Sequence, residues 1–292
     1  MPRRAARLGV TILACSCAAV IVPAATLASE LIGRDATNVR LQVDATGRAL
    51  VTFRSAGSTR SVVAWGAINA RDPSRTKPQV AFSLSLGGGI GPNVCGTYKG
   101  PPLAWHVAAC TTPDGTHWAV QEWQRALPNY GGSASGDRAA RELRLSHWSA
   151  PLPVLEISTD WSYRRFHHLY GRLTYRGKPV FGFRSTRYGV PLDSYGRNVY
   201  VDTFGGYGAG WKRVNSFLAH NSGGTFCYGF YPHGGAGTGE GARYRATVIG
   251  PGVVPDVMWQ GPAPGSYDAT RDGEANEAQR ALFAGDRLCK IN

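Results

Sequence analysis

The chain has no CxxC pair, no HExxH and no cluster of cysteine and histidine at ligand spacing. The common zinc sites are thereby excluded, and no metal is expected. G-x-S-x-G is also missing, which removes the nucleophile elbow of a serine hydrolase. Acidic residues number 19 against 32 basic ones, and lysine is scarce. Positive charge therefore resides mostly in arginine, whose planar guanidinium suits carboxylates, phosphates and aromatic faces. Helical periodicity of useful length is lacking before residue 130.

The longest apolar run, Leu8 to Val22, is too short for a stable membrane span. Arg3, Arg4 and Arg7 precede it, and Thr26-Leu27-Ala28 ends it with small residues where a signal peptidase reads. Residues 1–28 thus read as a secretory signal cleaved after Ala28. Lipidation at Cys15 and a retained anchor are the alternatives. The expected location is extracellular or in the cell envelope, and peripheral membrane contact stays open. Removal of the leader leaves 29 basic against 19 acidic residues, a net charge of about +10. Such a balance is either a solvated surface or an affinity for cell-wall polymer, acidic glycan or anionic lipid. An exported chain without a basic run argues against nucleic acid.

Cys15 and Cys17 leave with the signal, so Cys95, Cys110, Cys227 and Cys289 remain, an even set in an oxidising compartment. Three pairings are open. Local closure favours Cys95–Cys110 and Cys227–Cys289, contributing roughly 3 and 4 kcal/mol in the chain-entropy model. If all four are paired, a cysteine nucleophile is excluded.

From Val39 to Ile68 apolar and polar residues alternate, with turns at Asp44-Ala45-Thr46-Gly47 and Ser55-Ala56-Gly57-Ser58, which predicts a three-stranded meander. Gln79–Leu86 reads as a fourth strand, and a hairpin is expected around Thr112-Pro113-Asp114-Gly115. Residues 128–141 are rich in Gly and Ser and read as a linker or loop between two β-rich halves, 29–127 and 142–292. One helix is expected at about 274–284, with acids at its start and Gly285 at its end. The fold class is mainly β, antiparallel and sandwich-like, with one short C-terminal helix and two disulfides.

Residues 170–204 carry Gly171, Gly177, Lys178, Pro179, Val180, Gly182, Thr186, Asp193, Gly196 and Arg197. This spacing is similar to that of carboxypeptidase-regulatory-like and transthyretin-like β-sandwich modules. The resemblance covers about 35 residues. It implies a small sandwich used for adhesion, ligand presentation or stability, and it carries over no catalytic residue.

Ser158–Phe183 concentrates reactive side chains. Read as one strand, it places Trp161, Tyr163, Arg165, His167 and Leu169 on one face and Ser162, Arg164, Phe166, His168 and Tyr170 on the other. His167 and His168 then diverge and cannot bind one metal together. Glu156 and Asp160 share a face but stand about 13 Å apart along a regular strand, beyond the 5–9.5 Å of a glycosidase pair. Asp160, His167, His168 and Asp202 are the catalytic candidates if the protein is a hydrolase of polysaccharide or peptidoglycan. Trp161, Tyr163, Arg164 and Arg165 are the candidates for binding glycan or an anionic polymer.

The aromatics from Trp148 to Trp211 are either core filling or a binding surface, since sugar rings stack on flat aromatics and arginine adds charge-assisted bonds. Phe204–Lys212 has the glycines of a phosphate loop. Trp211 separates Gly210 from Lys212, however, and no helix follows, so it reads as a loop between strands and no cofactor is expected. The sequence supports a secreted binding protein or a secreted hydrolase, with the binding protein favoured.

Overall fold

The computed structural model describes residues 29–72, 74, 76–124, 140–180, 199–215, 219–220, 224–232 and 239–283. Four antiparallel sheets and one helix account for its regular structure. The first sheet runs β1 (Glu30–Arg34), β9 (Arg141–Trp148), β8 (His117–Gln124), β7 (His106–Thr111), β6 (Gly96–Thr97). The second runs β2 (Thr37–Val43), β3 (Ala49–Ser55), β4 (Ser58–Trp65), β5 (Ser83–Leu86). The third runs β10 (Val154–Ser162), β11 (Phe166–Tyr175), β16 (Thr225–Gly229), β15 (Ala219–His220), with β12 (Lys178–Pro179) paired to β11. The fourth runs β14 (Trp211–Asn215), β13 (Val199–Phe204), β17 (Arg243–Val248), β18 (Val257–Pro262). Helix α1 spans Ala269–Phe283.

The meander forms where alternation places it, as β2, β3 and β4. Its second turn has positive φ at both Ala56 and Gly57, the conformation a two-residue type I′ hairpin requires. The same geometry recurs at Arg176-Gly177, which closes β11 onto β12. The strand expected over Gln79–Leu86 begins only at Ser83. Gln79 instead bridges the backbone of Arg71 in both directions, at 2.8 Å each way, and so holds a loop closed. Helix α1 starts five residues before the expected 274, because Asp268 caps it by accepting from Thr270 N at 2.9 Å and Arg271 N at 3.1 Å. Among the described residues no helix is long and apolar enough to cross a membrane.

The first sheet is covered on both faces, and alternation along β8 and β9 explains how. Trp118, Val120, Leu143 and Leu145 enter a core shared with Val43, Val51, Phe53 and Val62 of the second sheet. Ala119 and Trp148 face the other way, into a core built by the third and fourth sheets, which includes Leu169, Leu173, Phe226, Val201, Tyr244 and Ala246. Strand β9 lies C-terminal to the Gly/Ser-rich stretch, yet it pairs with β1 and β8. The disulfide Cys95–Cys110 ties the segment before β6 to β7. Cys227 is buried in β16, and its expected partner Cys289 lies outside the described residues, as do residues 1–28 and most of 128–141.

Candidate functional site

Ser158–Phe183 is not one strand feeding a hairpin. The chain reverses at Tyr163-Arg164-Arg165, with φ of 54° at both Tyr163 and Arg164, and β10 pairs back along β11. Three residues in the turn preserve the parity of alternation, so Trp161 opposes His167 and Asp160 opposes His168. Tyr163, Arg164 and Arg165 leave the sheet and are exposed, and Arg165 stacks on Phe166. Trp161 is buried, with its indole N–H bonded to Gly265 O at 3.0 Å and Arg271 over its ring. The four binding candidates therefore do not form one surface, because the turn sends three of them outward and packing takes the fourth inward.

Among the catalytic candidates, the structure brings Asp160 and His168 together. His168 Nδ1 lies 2.6 Å from Asp160 Oδ1, and both residues are 1% exposed or less. A carboxylate at Nδ1 fixes that nitrogen as the donor and leaves Nε2 as the basic one. The His168 Nε2 atom is buried with no hydrogen-bond partner among the described residues. Nearby, Tyr170 donates to Ala275 O of α1, which packs on β10 and β11. His167 lies between Tyr244 Oη, at 2.5 Å from its Nδ1, and Gly265 O, at 3.3 Å from its Nε2. Burial pushes the Tyr244 hydroxyl up, which keeps it a donor. Glu156 faces solvent in an ion pair with Arg172 and does not meet Asp160.

Asp202 is 1% exposed and belongs to a different group. Across the fourth sheet it opposes Arg213 on β14 and Arg245 on β17. Its carboxylate accepts from Arg213 Nε at 2.6 Å and Nη2 at 3.2 Å, and from Arg245 Nε at 2.8 Å and Nη2 at 2.6 Å. Burial alone would raise this carboxyl, but the two guanidiniums outweigh it and hold it below the usual carboxylate range. Asp202 is thus an anion at neutral pH that aligns two arginines, and both its oxygens are committed to them.

Those arginines belong to a ladder on the outer face of the fourth sheet. Arg213 lies over Trp123 and Tyr200, 5.4 and 5.3 Å from the ring centres. Arg245 lies 4.4 Å from both Trp105 and Trp211. One register step further, Phe204 opposes Trp211 and Arg243, and the Arg243 guanidinium sits 4.4 Å over Phe204 and 5.6 Å from Trp211. Period two along β13, β14 and β17 places Asp202 with Phe204, Trp211 with Arg213, and Arg243 with Arg245 on one face. Each such stack contributes roughly 0.5–2 kcal/mol, more as it is desolvated. Among the described residues of the ladder three guanidiniums meet one carboxylate, a net charge of +2.

The end of the ladder is open. Phe204, Trp211 and Trp105 are half-buried, and Arg243 and Lys212 are exposed. Trp105 has φ of 57°, an unusual conformation for a bulky residue, and its indole N–H is buried without a partner among the described residues. The β8 strand and Trp105 come from the N-terminal half, so the face is completed only when the halves meet. Sequence reasoning singled out Trp211, Tyr200 and Asp202 but missed Phe204, Trp105, Arg243 and Arg245. The alternation of aromatic with arginine in each strand was present, but which strands are neighbours was not. Most other aromatics of the Trp148–Trp211 stretch fill the core, including Trp148, Tyr170 and Tyr175, while Tyr188 and Tyr195 lie outside the described residues.

A third group lines a cavity of about 200 Å³ between two turns, with Asp44, Asp114, Thr116, Trp118 and His147 among its walls. That is below the roughly 300–1,000 Å³ of small-molecule sites. Among the described residues no group of three or more His, Cys, Asp or Glu side chains is placed to hold a metal ion. No protein-family model matches the chain, and neither does a curated protein or a solved structure.

Proposed function

We propose that this is a secreted or cell-envelope protein that binds a glycan or an anionic cell-wall polymer on the outer face of its fourth sheet. The observation that carries the reading is Arg243, exposed, stacked on Phe204 beside Trp211, and without a hydrogen-bond or ion-pair partner among the described residues. A stacked guanidinium is held in place while its N–H edge stays available for bidentate contact with a carboxylate or phosphate. Trp211 and Phe204 offer ring faces to a sugar alongside it. The basic balance of the chain supports the same ligand class. Export with cleavage after Ala28, a sandwich-like stacking of the sheets and a second disulfide, Cys227–Cys289, belong to this reading. The resemblance of residues 170–204 to transthyretin-like modules agrees with a role in ligand presentation.

The test is retention of the mature protein on cell walls and polysaccharide arrays at two salt concentrations. Retention is expected at low salt and is lost near 1 M, where screening acts within about 3 Å. Arg243→Ala and Trp211→Ala are expected to weaken it at least tenfold. No retention on any surface at low salt refutes the reading.

A second reading, a secreted hydrolase of polysaccharide or peptidoglycan, is favoured by one observation. Asp160 orients His168 as it would a general base, and Nε2 has no hydrogen-bond partner among the described residues. It requires an opening that exposes this buried pair. Loss of cell-wall turnover on His168→Gln, with retention intact, would select it.

A further inference from the structure

Ser29, the first residue expected after leader removal, makes contacts unusual for a chain start. It is buried, its hydroxyl donates to Asp256 Oδ1, and its carbonyl accepts from Arg144 Nη1 at 2.8 Å. Asp256 is 2% exposed and lies in the loop between β17 and β18, far from Ser29 in sequence. Its carboxylate also accepts from Trp123 Nε1 at 2.8 Å and Gly250 N at 3.2 Å. Gln121 fixes its main chain, giving to its carbonyl at 3.0 Å and taking its N–H at 2.9 Å. This is a built pocket, closed by β8, β9 and the β17–β18 loop.

Among the described residues its buried charges are two carboxylates and one guanidinium. Arg144 is the buried cation, and its Nη2 is committed to Glu142 at 2.7 Å. Among the described residues the cation paired with Asp256 is Arg144, through Nε at 4.0 Å, and that nitrogen has no hydrogen-bond partner there. Burial raises the carboxyl of Glu30, next in the chain, and the Arg144 charge only partly offsets this. Arg34 reaches Glu142 at 3.4 Å, but from the surface. Among the described residues one buried guanidinium, Arg144, thus lies between two buried carboxylates, Glu142 and Asp256. Burial raises the Asp256 carboxyl more than Arg144 lowers it, as befits an anion short of a counter-charge.

We propose that the Asp256 pocket is the binding site for the α-ammonium group of Ser29, created when the leader is removed. The proposal rests on the secretion reading above. Hydrolysis of the Ala28–Ser29 bond consumes one water, leaves a carboxylate on Ala28 and gives Ser29 an amine that takes up a proton at neutral pH. Bond lengths keep a serine's nitrogen within about 4 Å of its own Oγ, which already touches Asp256. The new cation therefore arises close to a carboxylate whose paired guanidinium nitrogen stands 4.0 Å away. Maturation then does more than release the protein: it supplies the charge that completes the junction of β1, β9 and the β17–β18 loop.

The experiment compares the full mature chain beginning at Ser29 with the same chain carrying one added residue, Ala28, each with and without Asp256→Asn. One residue moves the ammonium out by about 3.5 Å. The expected result is an unfolding equilibrium constant at least tenfold larger for the extended chain, with the difference abolished by Asp256→Asn. In the native Ser29 chain, an amine-reactive reagent should label the α-amine at least tenfold more slowly than after unfolding. Equal stability of the two chain starts overturns the proposal. So does equal labelling, or an Asp256→Asn variant as stable as the parent, which would mark Asp256 as a neutral acid. Intact mass of the exported protein separates the premises. A start other than Ser29 overturns the leader reading and the pocket with it, whereas a Ser29 start with no effect of extension overturns the pocket alone.

Discussion

Asp202→Asn is the most direct probe of the ladder. The substitution keeps shape and volume but removes the charge shared by two largely buried guanidiniums, Arg213 and Arg245, 6% and 14% exposed. Breaking a buried ion pair by removing one partner typically costs about 3–5 kcal/mol. At roughly 2–4 °C per kcal/mol for a protein of this size, the midpoint of thermal unfolding should fall by roughly 6–20 °C. Urea unfolding of the mature protein at pH 7 should give the same loss as a shift of midpoint with an unchanged slope. The carboxyl sits below its unfolded value, so its contribution is complete above a pH of about 3.9 and is lost as pH falls through the lower folded value. The gap between parent and variant should therefore narrow below about pH 4. A variant within 1 kcal/mol of the parent at pH 7, or a gap that persists into acid, would refute the claim that Asp202 organises the arginines.

Three further outcomes test other parts of the fold. Replacing Cys95 and Cys110 by Ser opens a loop with a separation of 15 residues, and should cost about 3 kcal/mol in denaturant unfolding. Burial pushes His147 down to about 4, so it stays neutral when the unfolded chain begins to protonate near 6.5. Stability is then complete above about pH 6.5 and should drop by roughly 2 kcal/mol between pH 7.5 and 5, a slope that His147→Gln should flatten. A β-carbon at Gly171 would overlap the Glu156 carbonyl across the β10–β11 pair and come within 2.8 Å of Ile157 Cδ1. Gly171→Ala should therefore cost roughly 1–3 kcal/mol, read from equilibrium unfolding.

Local rules in the sequence determined much of this protein. Period-two alternation is a property of each strand alone, so the β2–β4 meander, the Arg176-Gly177 hairpin and the mainly β class could be read directly. The Cys95–Cys110 bridge followed from short loop closure. Alternation also assigned Asp160 and His168 to one face, although for the wrong reason. A three-residue turn happens to preserve parity, while no local signal announced that Tyr163 and Arg164 would adopt positive φ.

What tertiary structure alone decided is which strands lie side by side. Asp202, Arg213 and Arg245 are spread over 43 residues and meet because β13 is flanked by β14 and β17. Trp105 and Trp123 arrive from the other half of the chain. Asp256 finds Ser29 across 227 residues. Long-range neighbours are chosen by which apolar faces can be buried together, and that is a property of the whole chain. The residue types of the ladder and of the Asp256 pocket are in the sequence, but they meet only once the whole chain has folded.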